Sequence, residues 1–213
     1  MQDSSVGLLQ NKMVSARNIL PDSSPMIGNF YSNSVYETIA TAIIKNIRQR
    51  SGLMVLTGES GTGKTLTIQR IANLLGSTFR SVLFGDPHCS FDDFIELADQ
   101  KLDFGSPMPG IIPPQDKVQS FRDYLAGQFQ RQCSVVFFVD NAQDIAEKVL
   151  VDLLKLQNLR AGKEHLLQIV LVGLPELEAR LREPALQELT ADSPVPYKLV
   201  PLQENEIGDF VVQ

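Results

Sequence analysis

Leu53-Met54-Val55-Leu56-Thr57-Gly58-Glu59-Ser60-Gly61-Thr62-Gly63-Lys64-Thr65 is the stretch that decides how this 213-residue chain is read. Leu53 to Thr57 is a short apolar run of the kind that forms a buried strand. A helix is expected to follow from about Lys64 to Leu75, stopped by Gly76. Between them lies a glycine-rich turn. A polyphosphate needs many hydrogen-bond donors converging on a small volume, and the backbone supplies them only where side chains stand clear. Glycines at 58, 61 and 63 allow that approach and the unusual φ angles that a nest of amides requires. In this arrangement Lys64 neutralises charge between the β- and γ-phosphates, the Thr65 hydroxyl binds Mg²⁺, and the next helix points its N-terminus at the anion.

The segment fits G-x-x-x-x-G-K-[ST] at every fixed position. A chance glycine-rich turn could match it, but such a match rarely falls between an apolar strand and a well-formed helix. The expected ligand is therefore ATP or ADP with Mg²⁺, contacted by Gly58, Glu59, Ser60, Gly61, Thr62, Gly63, Lys64, Thr65 and Leu66.

A second element is Val135-Val136-Phe137-Phe138-Val139-Asp140, an apolar strand that ends in a carboxylate. Alone it could be a buried strand finishing at an N-capping aspartate; beside a phosphate loop it reads as the Walker B strand, with Asp140 sharing Mg²⁺ with Thr65. Asn141 stands where hydrolytic members of the additional-strand P-loop class usually have glutamate. An amide can hold a water but cannot take its proton. Lys64, Asp140 and Asn141 are thus the expected catalytic set, with slow or absent hydrolysis unless Glu59 or Asp144 reaches the water.

The rest of the chain is consistent with one α/β unit. At 43% hydrophobic it can bury one substantial core, and 19 basic against 25 acidic residues give a formal net charge of -6, so no overall positive field draws nucleic acid or an anionic membrane. Cys89 and Cys133 are too few for a disulfide framework and lack the paired spacing of a zinc site. Residues 1–28 read as a loosely ordered arm with no signal peptide, and no apolar run approaches the ~20 residues needed to cross a bilayer. A cytoplasmic protein is expected, reaching the inner-membrane periphery only through a partner or a missing segment.

Apolar periodicity places a helix over 34–50, with Val35, Ile39, Ile43, Ile44 and Ile47 as its stripe and Ser34 and Glu37 as a capping box. Further strands are expected over 81–84, 134–139, 166–172 and 197–200, and helices over 91–102, 117–130, 142–159, 175–182 and from Gln203. Residues 103–115 hold four prolines and two glycines and read as a surface loop. His88, His165, Asp92 and Asp93 have surface or structural readings, the two aspartates complementing a helix dipole. Phe137 and Phe138 read as core.

Several segments together resemble the AAA+ ATPase domain of the GspA/ExeA kind, the bacterial secretin-assembly ATPases, and their TniB- and MuB-like transposition-helper cousins. They are Phe30-Tyr31, the helix around Glu37, the phosphate loop, Asp140-Asn141-Ala142-Gln143 against those proteins' D-E-A-Q, and Leu167 to Leu177. The resemblance covers about 29–212. It implies a three-layer α/β/α sandwich around a mainly parallel five-stranded sheet, with the chain ending at Gln213 about where the helical lid begins, so that the lid is absent or truncated. It also marks departures: Asn141, a polar-poor Gly173-Leu174-Pro175 at the end of the fourth strand, and Thr190-Ala191-Asp192-Ser193 where an arginine often stands. Arg180 and Arg182 remain as candidates to reach a neighbour's nucleotide. The implied roles are a nucleotide-dependent switch or assembly factor working with a protein partner, which is a second copy or an envelope protein, or else a working motor or transposition helper that oligomerises on nucleic acid. The acidic net charge counts against the second. A small-molecule kinase would need an arginine-rich lid, and 103–118 offers only Lys117.

Overall fold

In the computed structural model residues 34–104, 114–190 and 194–201 are described. The arm over 1–28, most of the proline-rich loop and the helix expected from Gln203 lie outside the described residues.

The sheet is built by β1 (Leu53–Gly58), β2 (Phe79–Phe84), β3 (Ser134–Val139), β6 (Leu167–Gly173) and β7 (Val195–Leu199), in the order β2-β3-β6-β1-β7 and parallel at every pairing. An additional strand, β6, therefore separates the phosphate-loop strand from the strand ending at Asp140. β1, β3 and β6 are buried along their whole length, as strands covered on both faces must be. Pro196 sits on the edge strand β7, where a missing amide proton costs least.

Alternation along the strands sorts the core into two faces. Val55, Val82, Val135, Phe137, Val139, Ile169 and Leu171 pack with residues of α3 (Phe91–Leu102), α4 (Pro114–Gln130) and α5 (Glu147–Gln157). Met54, Leu56, Val136, Phe138 and Val170, one residue out of phase and equally buried, face α1 (Ser34–Arg48) and α2 (Lys64–Leu74). The result is the expected three-layer α/β/α sandwich with a five-stranded sheet.

Four sequence readings are corrected. The buried stripe of α1 is Tyr36, Ala40, Ile43 and Ile47, while Val35 is 40% exposed: the helix is rotated so that an aromatic ring whose hydroxyl finds a partner goes inside. Glu37, read as half of a capping box, pairs with Arg70 of α2. The helix also ends at Arg48, because Arg50 turns left-handed at φ 55°. The helix expected over 142–159 is broken: Ala142–Asp144 is one 3-10 turn, Ile145 is extended, and α5 begins only at Glu147. Between α5 and β6 a two-residue hairpin, β4 (Arg160–Ala161) and β5 (Glu164–His165), turns on Gly162 at φ 64° and went unforeseen.

Candidate nucleotide site

The loop 59–63 leaves β1 at the carboxyl edge of the sheet and enters α2 at Lys64. Gly61 and Gly63 adopt φ 79° and 75°, left-handed values that side chains resist, so amides there can turn inward. Gly58 is required for a different reason: a Cβ on it would lie 2.7 Å from Thr62 Oγ1 and 2.8 Å from the Leu199 carbonyl. Glu59, Ser60 and Gly61 are exposed, Thr62 is buried and donates its hydroxyl to the Glu59 carbonyl at 2.8 Å, and Leu66 is 52% exposed on the first turn of α2. The amides of that first turn have no partner within the helix, which is the arrangement that favours an anion. Lys64 Nζ donates to the carbonyls of Gly58 and Glu59, each at 2.8 Å, placing one cation across the loop.

Asp140 follows β3 and is 94% buried; its amide donates to the Phe84 carbonyl at 2.8 Å. One carboxylate oxygen accepts from Thr65 Oγ1 at 2.5 Å, and the other from the Asn141 amide at 2.9 Å. Two hard oxygens from separate elements thus meet at the first turn of α2, a fit to Mg²⁺, which takes one or two protein oxygens and leaves other positions to phosphate and water. Among the described residues no cluster of three or more His, Cys, Asp or Glu forms an all-protein cage. Asn141 is exposed and left-handed at φ 52°, a conformation asparagine tolerates better than most residues. Glu59 and Asp144, the carboxylates considered as substitutes for a catalytic glutamate, are both exposed, and Asp144 Oδ2 is engaged by Gln143 Nε2 at 2.6 Å.

The structure adds residues that periodicity did not single out. Tyr36 donates its hydroxyl to the Thr62 carbonyl at 3.1 Å, tying α1 to the back of the loop, with the Val200 carbonyl at 3.3 Å. Thr57, the residue before the loop, donates to Glu178 of α6 (Glu176–Leu181) at 2.8 Å. Gln143 accepts from the Leu174 amide at 3.0 Å, and its own carbonyl accepts from Arg180 Nη1 at 2.8 Å. A polar residue at the start of an apparently helical run was the available signal for Gln143. Of the two arginines considered for a neighbour's site, Arg180 is held within the chain, and Arg182 is 77% exposed beside Glu178 at 3.6 Å.

Other candidates keep structural roles. Asp93 closes a capping box with Ser90, whose hydroxyl and amide lower the aspartate's pKa. His88 donates its amide to Asp86, and Cys89 is pushed above its usual pKa by burial and by Asp86 and Asp93, which leaves no nucleophilic thiolate there. His165 is buried against Gln157, and Phe137 and Phe138 are core.

Comparison with known proteins shows the family and the fold. Residues 47–181 match the family model described as an AAA domain. The chain is 30% identical over 166 residues to general secretion pathway protein A of Aeromonas hydrophila, across 78% of this chain and only 30% of that protein. Its fold is similar to Cdc6p from Pyrobaculum aerophilum, with TM-score 0.66 and 19% identity over 90% of this chain and 51% of that one. It is also similar to the Aeropyrum pernix ORC2 protein solved as ADPNP-ADP complexes, with TM-score 0.61 and 14% identity over 83% and 49%. At these identities the two solved structures speak for the fold alone.

Proposed function

The chain belongs to the AAA domain family of P-loop ATPases, and on that premise we propose that it binds ATP with Mg²⁺ and uses the bound nucleotide as a ligand switch, with little hydrolysis of its own. The observation that carries this reading is the meeting of Thr65 Oγ1 and Asp140 Oδ2 at 2.5 Å, beside a loop whose glycines are left-handed and whose lysine spans the mouth.

In this reading Thr65 and Asp140 hold Mg²⁺, which when bound draws charge off the β- and γ-phosphate oxygens. Amides from Gly58 to Leu66 hold the phosphates, and Lys64 exchanges its two loop carbonyls for phosphate oxygens. Asn141 orients water at the end of β3 without accepting its proton. The unit doing this is taken to span 29–213, with 1–28 as an arm. The matched secretion-pathway protein favours a protein partner in cell-envelope assembly, or a second copy of this chain, over nucleic acid. Among the described residues no helix is long and apolar enough to cross a membrane, and in this reading membrane association runs through a partner or a missing segment.

A single-turnover assay tests switch against motor. Bound ATP is expected to convert to ADP at least ~100-fold more slowly than the ~10 s⁻¹ of a typical enzyme, the contribution a general base would make. Turnover near that typical value, with release of ADP, would establish the motor.

A further inference from the structure

Gly173-Leu174-Pro175 at the end of β6 offers no polar side chain, although strand order puts this terminus between the phosphate loop on β1 and Asp140 after β3. Thr57 pairs with Gly173, while Val139, the last residue of β3, pairs with Leu171, so β6 runs two residues past the end of β3. The turn after β3 therefore lies beside the last residues of β6. The polar group found there comes from that turn. Gln143 Oε1 accepts the Leu174 amide at 3.0 Å and lies 2.5 Å from where a Cβ on residue 173 would stand, so Gly173 is a glycine because Gln143 occupies its side-chain space. The turn is secured again from α6, whose Arg180 donates to the Gln143 carbonyl at 2.8 Å, and it closes on itself where the Asp144 amide donates to the Asn141 carbonyl at 3.0 Å.

We propose that Gln143 and Arg180 form a positioning latch: together they pin the turn carrying Asp140 and Asn141 to the end of β6, and so set how this site distinguishes ATP from ADP. The latch rests on the nucleotide reading above and adds the residues that tune it. It also explains why the chain departs from a helix over 142–146, since continuing the helix would withdraw Gln143 from Leu174. Arg180 acts here within its own chain.

Three substitutions break the latch by independent routes. Gln143→Leu removes the acceptor of the Leu174 amide, Arg180→Ala removes the donor to the Gln143 backbone carbonyl, and Gly173→Ala displaces the glutamine side chain while leaving both residues in place. Calorimetric binding of MgATP and MgADP to the full chain is expected to show ATP affinity falling about tenfold in each, with ADP affinity little changed. Because Gln143→Leu leaves the backbone carbonyl that Arg180 donates to, the Gln143→Leu/Arg180→Ala double variant should lose more ATP affinity than either single. Arg180→Lys, which keeps a donor, should recover part of the loss. In the nucleotide-free protein, hydrogen exchange at the Leu174 amide should speed up in Gln143→Leu and Gly173→Ala. Equal losses of ATP and ADP affinity, which leave the ATP:ADP ratio unchanged, or a double variant that binds ATP as well as the wild type, would overturn the latch while leaving nucleotide binding intact. A wild-type chain with no affinity for either nucleotide would overturn the underlying reading and the latch with it.

Discussion

The two edges of the sheet use polar residues in opposite ways. At the amino edge, beneath the site, His165 Nδ1 lies 2.8 Å from the Gln157 carbonyl, Gln168 donates to the His165 carbonyl at 2.9 Å, and Gln168 Oε1 accepts the Gly52 amide at 2.8 Å. Arg50 lies over the Phe129 ring at 4.6 Å, donates to the Cys133 carbonyl at 3.2 Å and pairs with Glu164 at 3.5 Å. Apart from the exposed Glu164 these groups are buried and bond mainly to one another, Arg50 Nη1 being the one buried side-chain polar atom without a partner among the described residues, so they hold strands together. At the carboxyl edge Lys64, Thr65, Asp140 and Asn141 also hold partners, yet Thr65 and Asn141 are exposed and the lysine's partners are carbonyls that phosphate oxygens can replace. Polar residues with interchangeable partners at an open edge mark chemistry, whereas a mostly buried set bonded mainly to itself marks architecture.

That contrast can be broken from either side. Lys64→Ala should weaken MgATP binding about a hundredfold, the loss of charged hydrogen bonds to phosphate, while the urea midpoint barely moves. Gly52→Ala should do the reverse. Its φ is 88°, and the added Cβ would stand 2.3 Å from Gln157 Nε2, so a stability loss of about 3 kcal/mol is expected in urea unfolding with nucleotide affinity unchanged.

Gln168→Leu would leave the buried Gly52 amide and His165 carbonyl unpaired, for about 2 kcal/mol of stability and no change in binding. Asn141→Glu sharpens the comparison at the open edge. Glutamate tolerates φ 52° less well than asparagine, so stability should drop by about 1 kcal/mol while single-turnover hydrolysis rises by about 10².

The smallest expected effect is the pH response of the amino edge. Burial lowers the His165 pKa, so the folded state binds fewer protons there than the unfolded chain. Its contribution is present in full above the unfolded value of about 6.5 and is lost as pH falls below it. Urea midpoints should decline from pH 7 to 5.5, with a shallower slope in His165→Gln.

Sheet and phosphate loop were legible because each rests on local chemistry: continuous apolar runs at Leu53, Ser134 and Leu167, and glycines whose backbone demands appear in the spacing itself. The missed features depend on distant partners. Tyr36 is buried because Thr62, twenty-six residues away, accepts its hydroxyl. The run after Asn141 has good helix formers, yet the chain there is left-handed at Asn141 and extended at Ile145, where Gln143 is tied to Leu174 and to Arg180. The small β4–β5 hairpin holds no apolar pattern, and its His165 joins the core through Gln157. Local preference yielded wherever a side chain had a long-range partner, and those positions gather around the site and beneath it.

The central claim is that the loop from Gly58 to Thr65, completed by Asp140, holds a triphosphate with its metal. Calorimetry of ATP binding with and without Mg²⁺, on the wild type and on Lys64→Ala, tests it most directly. Saturable one-to-one binding is expected, tightening when Mg²⁺ is added and largely lost with Lys64→Ala. Heat that is absent in the wild type, or unchanged by both the metal and the substitution, would contradict it.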